Sequence, residues 1–170
     1  MKIIGISLII ISVILLCIYI GIFLYASWQY ENTISNSWGL AEKASTIDLK
    51  SDYIDKFVKA LEESKLQGTN AYLIFKTPYS SFDQNMITLK SLQSRLQEIK
   101  TLDINSFAYQ TAIQQITAQE QGEANRMLEI FSECWLRIHY VYLWSLYGVL
   151  VFIGILIIGG VGATFIKLSE

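Results

Sequence analysis

Proline is almost missing from this sequence, with one residue in 170. Proline breaks helices, so its scarcity agrees with a chain that is helical nearly throughout. Two cysteines, Cys17 and Cys134, are too few for a disulfide framework, and each reads as a small apolar residue. One histidine, His139, has no second imidazole to share a metal with and no serine or cysteine elbow nearby to activate. A phosphate-binding glycine loop, a dinucleotide fingerprint and a paired-histidine zinc motif are all lacking. Neither a catalytic set nor a cofactor or metal site is therefore expected. The middle of the chain has no basic patch, which excludes a nucleic-acid partner. Without Lys2, Lys167 and Glu170 it holds 11 basic and 14 acidic side chains with the signs interspersed.

Charge itself is lacking in two long stretches, Ile3 to Ala26 and Val141 to Ile166. At about 1.5 Å per residue, the shorter one reaches roughly 36 Å, against a bilayer core of about 30 Å. Backbone amides in lipid must bond within their own segment, so both stretches are expected to be membrane-spanning helices. A cleaved signal peptide is the other reading of the first. Its apolar run is long for that, no small-x-small cleavage site follows, and Leu16 spoils a lipoprotein site at Cys17. The other reading of the second is a core helix, but a chain of this size has no core large enough to surround it.

The expected organisation is a span over 1–26, a soluble domain over 27–140, a return span over 141–166 and a tail over 167–170. Lys2 and Lys167 flank the two spans on their short sides, which favours a cytoplasmic position for both termini and an extracytoplasmic domain in a cell membrane. Trp28, Tyr30, Trp135, Tyr140, Tyr142 and Trp144 are expected to form the aromatic belts at the headgroups. Gly159 and Ala163 form a small-xxx-small pair that would let the spans, or two copies of the chain, pack closely.

Between the spans, apolar spacing of 3 and 4 predicts an antiparallel bundle of roughly four helices. The first continues from Ser27 to about Ala44. The second covers about Asp52 to Gln67, with Ile54, Phe57, Val58, Leu61 and Lys65 on one face, Ser51 as N-cap and Gly68 as stop. The third opens with a capping box at Ser81 to Gln84 and repeats Met86, Leu89, Leu92 (or Gln93), Leu96 and Ile99. The fourth starts near Asn105, with a seam of Tyr109, Ile113, Ile116, Met127, Phe131, Cys134 and Ile138, and runs unbroken into the second span.

Two features stand out as candidate sites. Gln119, Glu120 and Glu123 interrupt the seam of the fourth helix. A buried carboxylate is costly unless paired, so these residues form either a polar ligand-binding layer or a solvated face. Tyr72, Leu73, Ile74 and Phe75 form an apolar cluster in an otherwise irregular segment, read as a plug over the end of the bundle or as a partner contact.

A span, a helical domain and a return span together resemble, in architecture alone, the input half of bacterial chemoreceptors. Tyr30-Glu31-Asn32, Trp38 and Leu49-Lys50-Ser51-Asp52-Tyr53-Ile54 are similar to the start of LemA-like proteins, and Phe107, Ile113, Ile116, Glu120 and Arg126 to their late helix. That resemblance implies an anchored helical bundle. Asp55 and Lys56 depart from it, as does the second span. Ala41 to Ile47 and Ile116 to Ala124 also resemble stretches of uncharacterised two-span prokaryotic membrane proteins. The expected function is a non-enzymatic, membrane-anchored module that scaffolds partners or serves as a subunit of a membrane assembly. Its partners would be the bilayer, a membrane or extracytoplasmic protein, and a second copy of the chain. The alternative is an extracytoplasmic sensor that binds a ligand and, lacking an output domain, passes its signal through a partner.

Overall fold

The computed structural model describes residues 2–103 and 105–169, with the side chains at 108, 115–123, 142 and 144 outside that description. The described chain is helical: α1 (Lys2–Tyr30), a π-helical turn (Glu31–Ser35), α2 (Asn36–Glu42), α3 (Ile47–Glu63), α4 (Phe82–Lys100), α5 (Phe107–His139), a short α6 (Val141–Trp144) and α7 (Leu146–Lys167). It divides into two units, Met1–Trp28 with His139–Glu170, and Gln29–Ile138.

The first unit is a pair of apolar helices. α1 and α7 are each long and apolar enough to cross a membrane, and most of their side chains face outward. The two run antiparallel. Gly5 lies against Gly162, Ser12 against Gly159 and Ile155, and Tyr19 against Phe152 at 5.7 Å between ring centroids. The Ser12 hydroxyl donates to the Ile155 carbonyl at 2.9 Å, one of the few polar links two such helices can make. A Cβ on Gly5 would come within 2.7 Å of the Gly162 carbonyl oxygen, so glycine here permits backbone-to-backbone approach.

The second unit is a helical bundle. α3 and α4 pair antiparallel: Glu62 meets Lys90 at 2.6 Å, Asp55 accepts from Gln93 and Gln97, and Lys100 reaches Asp52 at 3.2 Å and Asp48 at 3.8 Å. These exposed pairs fix register and contribute little energy. The core is apolar. Ile54, Phe57, Val58 and Leu61 on α3 and Met86, Leu89, Leu92, Leu96 and Ile99 on α4 are all buried. Four rings run through it from helix to helix. Trp38 of α2 meets Phe57 of α3 at 5.5 Å, Phe57 meets Phe131 of α5 at 6.1 Å, and Phe131 meets Phe82 of α4 at 5.4 Å, each nearly edge to face. Burial of each such side chain stabilises by about 1.5–3 kcal/mol.

Several boundaries differ from the sequence reading. α3 begins five residues before Asp52, because the Thr46 hydroxyl accepts from the Leu49 amide at 3.3 Å and so is the N-cap. Ser51 is instead buried inside the helix. α3 also stops early: Lys65 takes a left-handed φ of 57°, which puts it outside the helix, and Gly68 (φ 74°) serves the following turn. The capping box at Ser81 does not form. Asp83 accepts from the Gly68 amide, and Thr77 with Ser80 closes a turn just upstream. The helix near the second span is not continuous. It breaks at Tyr140 (φ −128°, ψ 51°) and again at Ser145, whose hydroxyl caps α7 by accepting from the Tyr147 amide. Ile138 is exposed, and the buried face of α5 turns to Ala124, Met127, Ile130, Phe131, Cys134 and Trp135.

Candidate functional site: an exposed apolar loop on an ordered base

The segment between α3 and α4 folds on a hydrogen-bonded base. The Ala71 amide donates to the Ser80 carbonyl at 2.8 Å, and the Phe82 amide donates to the Thr69 carbonyl at 3.0 Å. Asn70 braces the interior, its side-chain oxygen accepting from the Tyr72 amide and the Ser80 hydroxyl, both at 3.0 Å. Ser80 is 1% exposed, so its hydroxyl must find partners, and it has them in Asn70 and Thr77. Arg137 holds this base to α5, donating to the Asn70 carbonyl at 3.0 Å and to the Ala71 carbonyl. Leu66 and Phe82, both buried, anchor the two flanks.

From this base the sequence Tyr-Leu-Ile-Phe projects into the open. Tyr72 is 48% exposed, Leu73 46%, Ile74 77% and Phe75 83%, and nearby Tyr79 is 71% exposed. Arg126 of α5 lies over the Tyr79 ring at 5.9 Å, but among the described residues Ile74 and Phe75 stay mostly in solvent, so the tip projects from the bundle and does not plug it. Their exposure is costly in water, and contiguous exposed apolar side chains mark an interaction surface.

The loop's position follows from its partners. Its base packs on the stretch of α5 from Phe131 to Arg137. That stretch also receives Tyr30, whose ring lies tilted against Trp135 at 5.7 Å. Tyr30 and Trp135 are 6% and 3% exposed. They are core residues of the bundle, and the reading of both as membrane-belt aromatics is corrected: a boundary aromatic suits a headgroup or a neighbouring ring equally well, and here each finds the other. Trp28, by contrast, is exposed. Burial pushes the Tyr30 phenol up, and the adjacent Cys134 adds to the effect. Burial likewise pushes the Cys134 thiol up, against the pull of the Thr69 hydroxyl and Arg137. Glu133 is raised by burial as well, with Arg137 opposing.

A second concavity, a cleft of about 440 Å³, lies among Ala44, Thr46, Ile47, Lys100, Leu102 and Tyr109. Lys100 is already engaged there by Asp48 and Asp52. Among the described residues no three His, Cys, Asp or Glu side chains gather as metal ligands.

The other candidates fare differently. α5 runs through Gln119, Glu120 and Glu123, but their side chains, like that of Ile116, lie outside the described residues. Gly159 does pack on the opposite helix, where its Cβ would meet the Ser12 hydroxyl at 2.9 Å. Its companion is Gly162, which is buried, while Ala163 is exposed. The contact line Ile155, Gly159, Gly162, Ile166 alternates spacings of 4 and 3, the repeat that keeps a side-chain seam facing a partner helix, whereas the small-xxx-small pair assumed 4 alone. His139 ends α5 and is exposed.

Comparison with known protein families, curated proteins and solved structures finds no match to this chain.

Proposed function

We propose that this protein is a two-span membrane module whose helical bundle works by contact, as a scaffold or accessory subunit of a membrane assembly, and not by catalysis. The observation that carries this reading is the pairing of the two long apolar helices. They meet along a glycine-and-serine seam while nearly every other side chain of both points outward, an arrangement suited to lipid and costly in water. In this reading α1 and α7 span the cell membrane, and residues 29–138 form an antiparallel bundle on the extracytoplasmic side. Both termini, flanked by Lys2 and Lys167, face the cytoplasm. The partners are the bilayer and a membrane or extracytoplasmic protein.

Two measurements test it. Alkaline carbonate should leave the protein in the membrane pellet, and tags at Met1 and Glu170 should report the same, cytoplasmic face. Release by carbonate, or tags on opposite faces, would overturn the reading. Crosslinking in native membranes, followed by identification of what co-purifies, then names the assembly.

The cleft beside Lys100 favours a second reading, a sensor that binds a small ligand at the end of the bundle away from the loop. Saturable ligand binding that Tyr109→Ala weakens would support the sensor. Unchanged binding in that variant would remove the cleft from consideration.

A further inference from the structure

We infer that the loop Tyr72–Lys76 is a third membrane contact, with Leu73, Ile74 and Phe75 seated at the headgroup–acyl boundary of the bilayer that holds the protein's own spans. This inference rests on the membrane reading above and goes beyond it. Three observations favour lipid as the occupant over a protein.

The first is place. The loop base, Tyr30 and Trp135 all gather on one short stretch of α5, residues 131–137, about 9 Å of helix. Gln29 and Ile138, where the chain enters and leaves the bundle, flank Tyr30 and Arg137. The loop thus projects from the end of the bundle that carries both chain exits.

The second is chemistry. Tyr72 precedes three purely apolar side chains and Lys76 follows them directly, while Tyr79 is held beneath the Arg126 guanidinium of α5. Aromatic rings with polar tips favour the headgroup level, and a lysine stem can lie along apolar surface while its ammonium meets lipid phosphate.

The third is order. The loop's base is closed by backbone bonds and clamped by Arg137, so its apolar residues are presented without the entropic cost of ordering a free loop on contact.

The test is spin-label accessibility in the full chain, reconstituted in phosphatidylcholine–phosphatidylglycerol vesicles at no more than one copy per vesicle. Cys17→Ala removes the exposed thiol, and Cys134 is fully buried and stays unlabelled. Single labels go on Ile74→Cys in the loop, Val13→Cys on α1 and Ile87→Cys on the exposed face of α4. All three positions are surface sites, so the fold should survive each. The expected result is that the label at 74 collides with oxygen several-fold more than with a water-soluble nickel chelate. Its ratio should approach that at 13 and exceed that at 87. A label at 74 that behaves like the one at 87 places the loop in water and overturns the proposal while leaving the spans intact. Shielding at 74 from both reagents would show a protein surface over the loop and overturn it too. If 13 itself is in water, the membrane reading falls and this proposal with it.

Discussion

Phe131, like Phe57, touches two other core rings, and it is the ring that ties α5 to both α3 and α4, so its removal is a sharp test of how the bundle is held. It is fully buried, and its ring lies 6.1 Å from Phe57 and 5.4 Å from Phe82, which come from different helices. Phe131→Ala deletes that ring between two walls whose spacing is held by the α3–α4 pairing. The walls cannot both close in, so the cavity persists. Large-to-small changes of this type cost about 3–5 kcal/mol, and the two lost edge-to-face contacts put this one near 4. For a bundle of about 110 residues, an unfolding entropy of roughly 2.1 cal/mol/K per residue converts that to a fall of about 17 °C in Tm. The assay is thermal unfolding of the full chain in non-ionic detergent, followed by tryptophan fluorescence and checked by pulse proteolysis. Ile87→Ala, on an exposed α4 position, is the control and should cost under about 0.5 kcal/mol. A Phe57→Ala/Phe131→Ala double variant should lose less than the sum of its singles, because one contact is counted twice. A Phe131→Ala cost below about 1.5 kcal/mol, or one equal to that of Ile87→Ala, would refute the ring chain as the centre of the core.

Three further outcomes are expected. Ser12→Cys with Gly159→Cys should form an intramolecular disulfide on mild oxidation, since a Cβ at Gly159 would lie 3.4 Å from that of Ser12. Adding Gly162→Leu should abolish the bond and adding Ala163→Leu should spare it, as read by non-reducing gel shift; the reverse would show that the seam is misplaced. Tyr30→Phe and Ser51→Ala each delete a buried hydroxyl with no hydrogen-bond partner among the described residues, so each should leave stability unchanged or raise it by about 1 kcal/mol, and a clear loss in urea unfolding would contradict this. Glu133 has its folded-state pKa raised, so the stability it contributes is complete below the ordinary carboxylate range and is lost as pH rises through the raised value. Glu133→Gln should therefore melt higher than the parent at neutral pH and converge with it toward acid, and a variant less stable at neutral pH would reverse the assigned sign.

Much of this architecture is legible in the sequence, and what escapes has physical reasons. The two uncharged stretches identify α1 and α7 as the two helices long and apolar enough to cross a membrane, because so long a run without charge is rare in a small soluble domain. The faces of α3 and α4 follow from 3–4 spacing, because each helix buries one stripe. The π-helical turn at Glu31–Ser35 leaves no such mark, since one extra residue in a turn needs no special side chain. The break at Tyr140–Ser145 contains neither glycine nor proline and is visible only once Ser145 is seen to cap α7. The loop's composition is plain in Tyr72 to Phe75, but its base depends on contacts such as Arg137 with Asn70, which join residues far apart in the chain. Sequence spacing alone therefore could not say whether the cluster covers the bundle or projects from it.

The four-ring chain also sets an order of assembly. Trp38, Phe57 and Phe82 belong to the first three bundle helices, which can pair among themselves as soon as they are made. Phe131, which joins Phe57 to Phe82, arrives only with the last of them. A nascent chain that has reached Lys100 thus carries two large rings awaiting their common neighbour, and it must keep them from other polypeptides until α5 emerges. Synthesis of α5 then completes the ring chain.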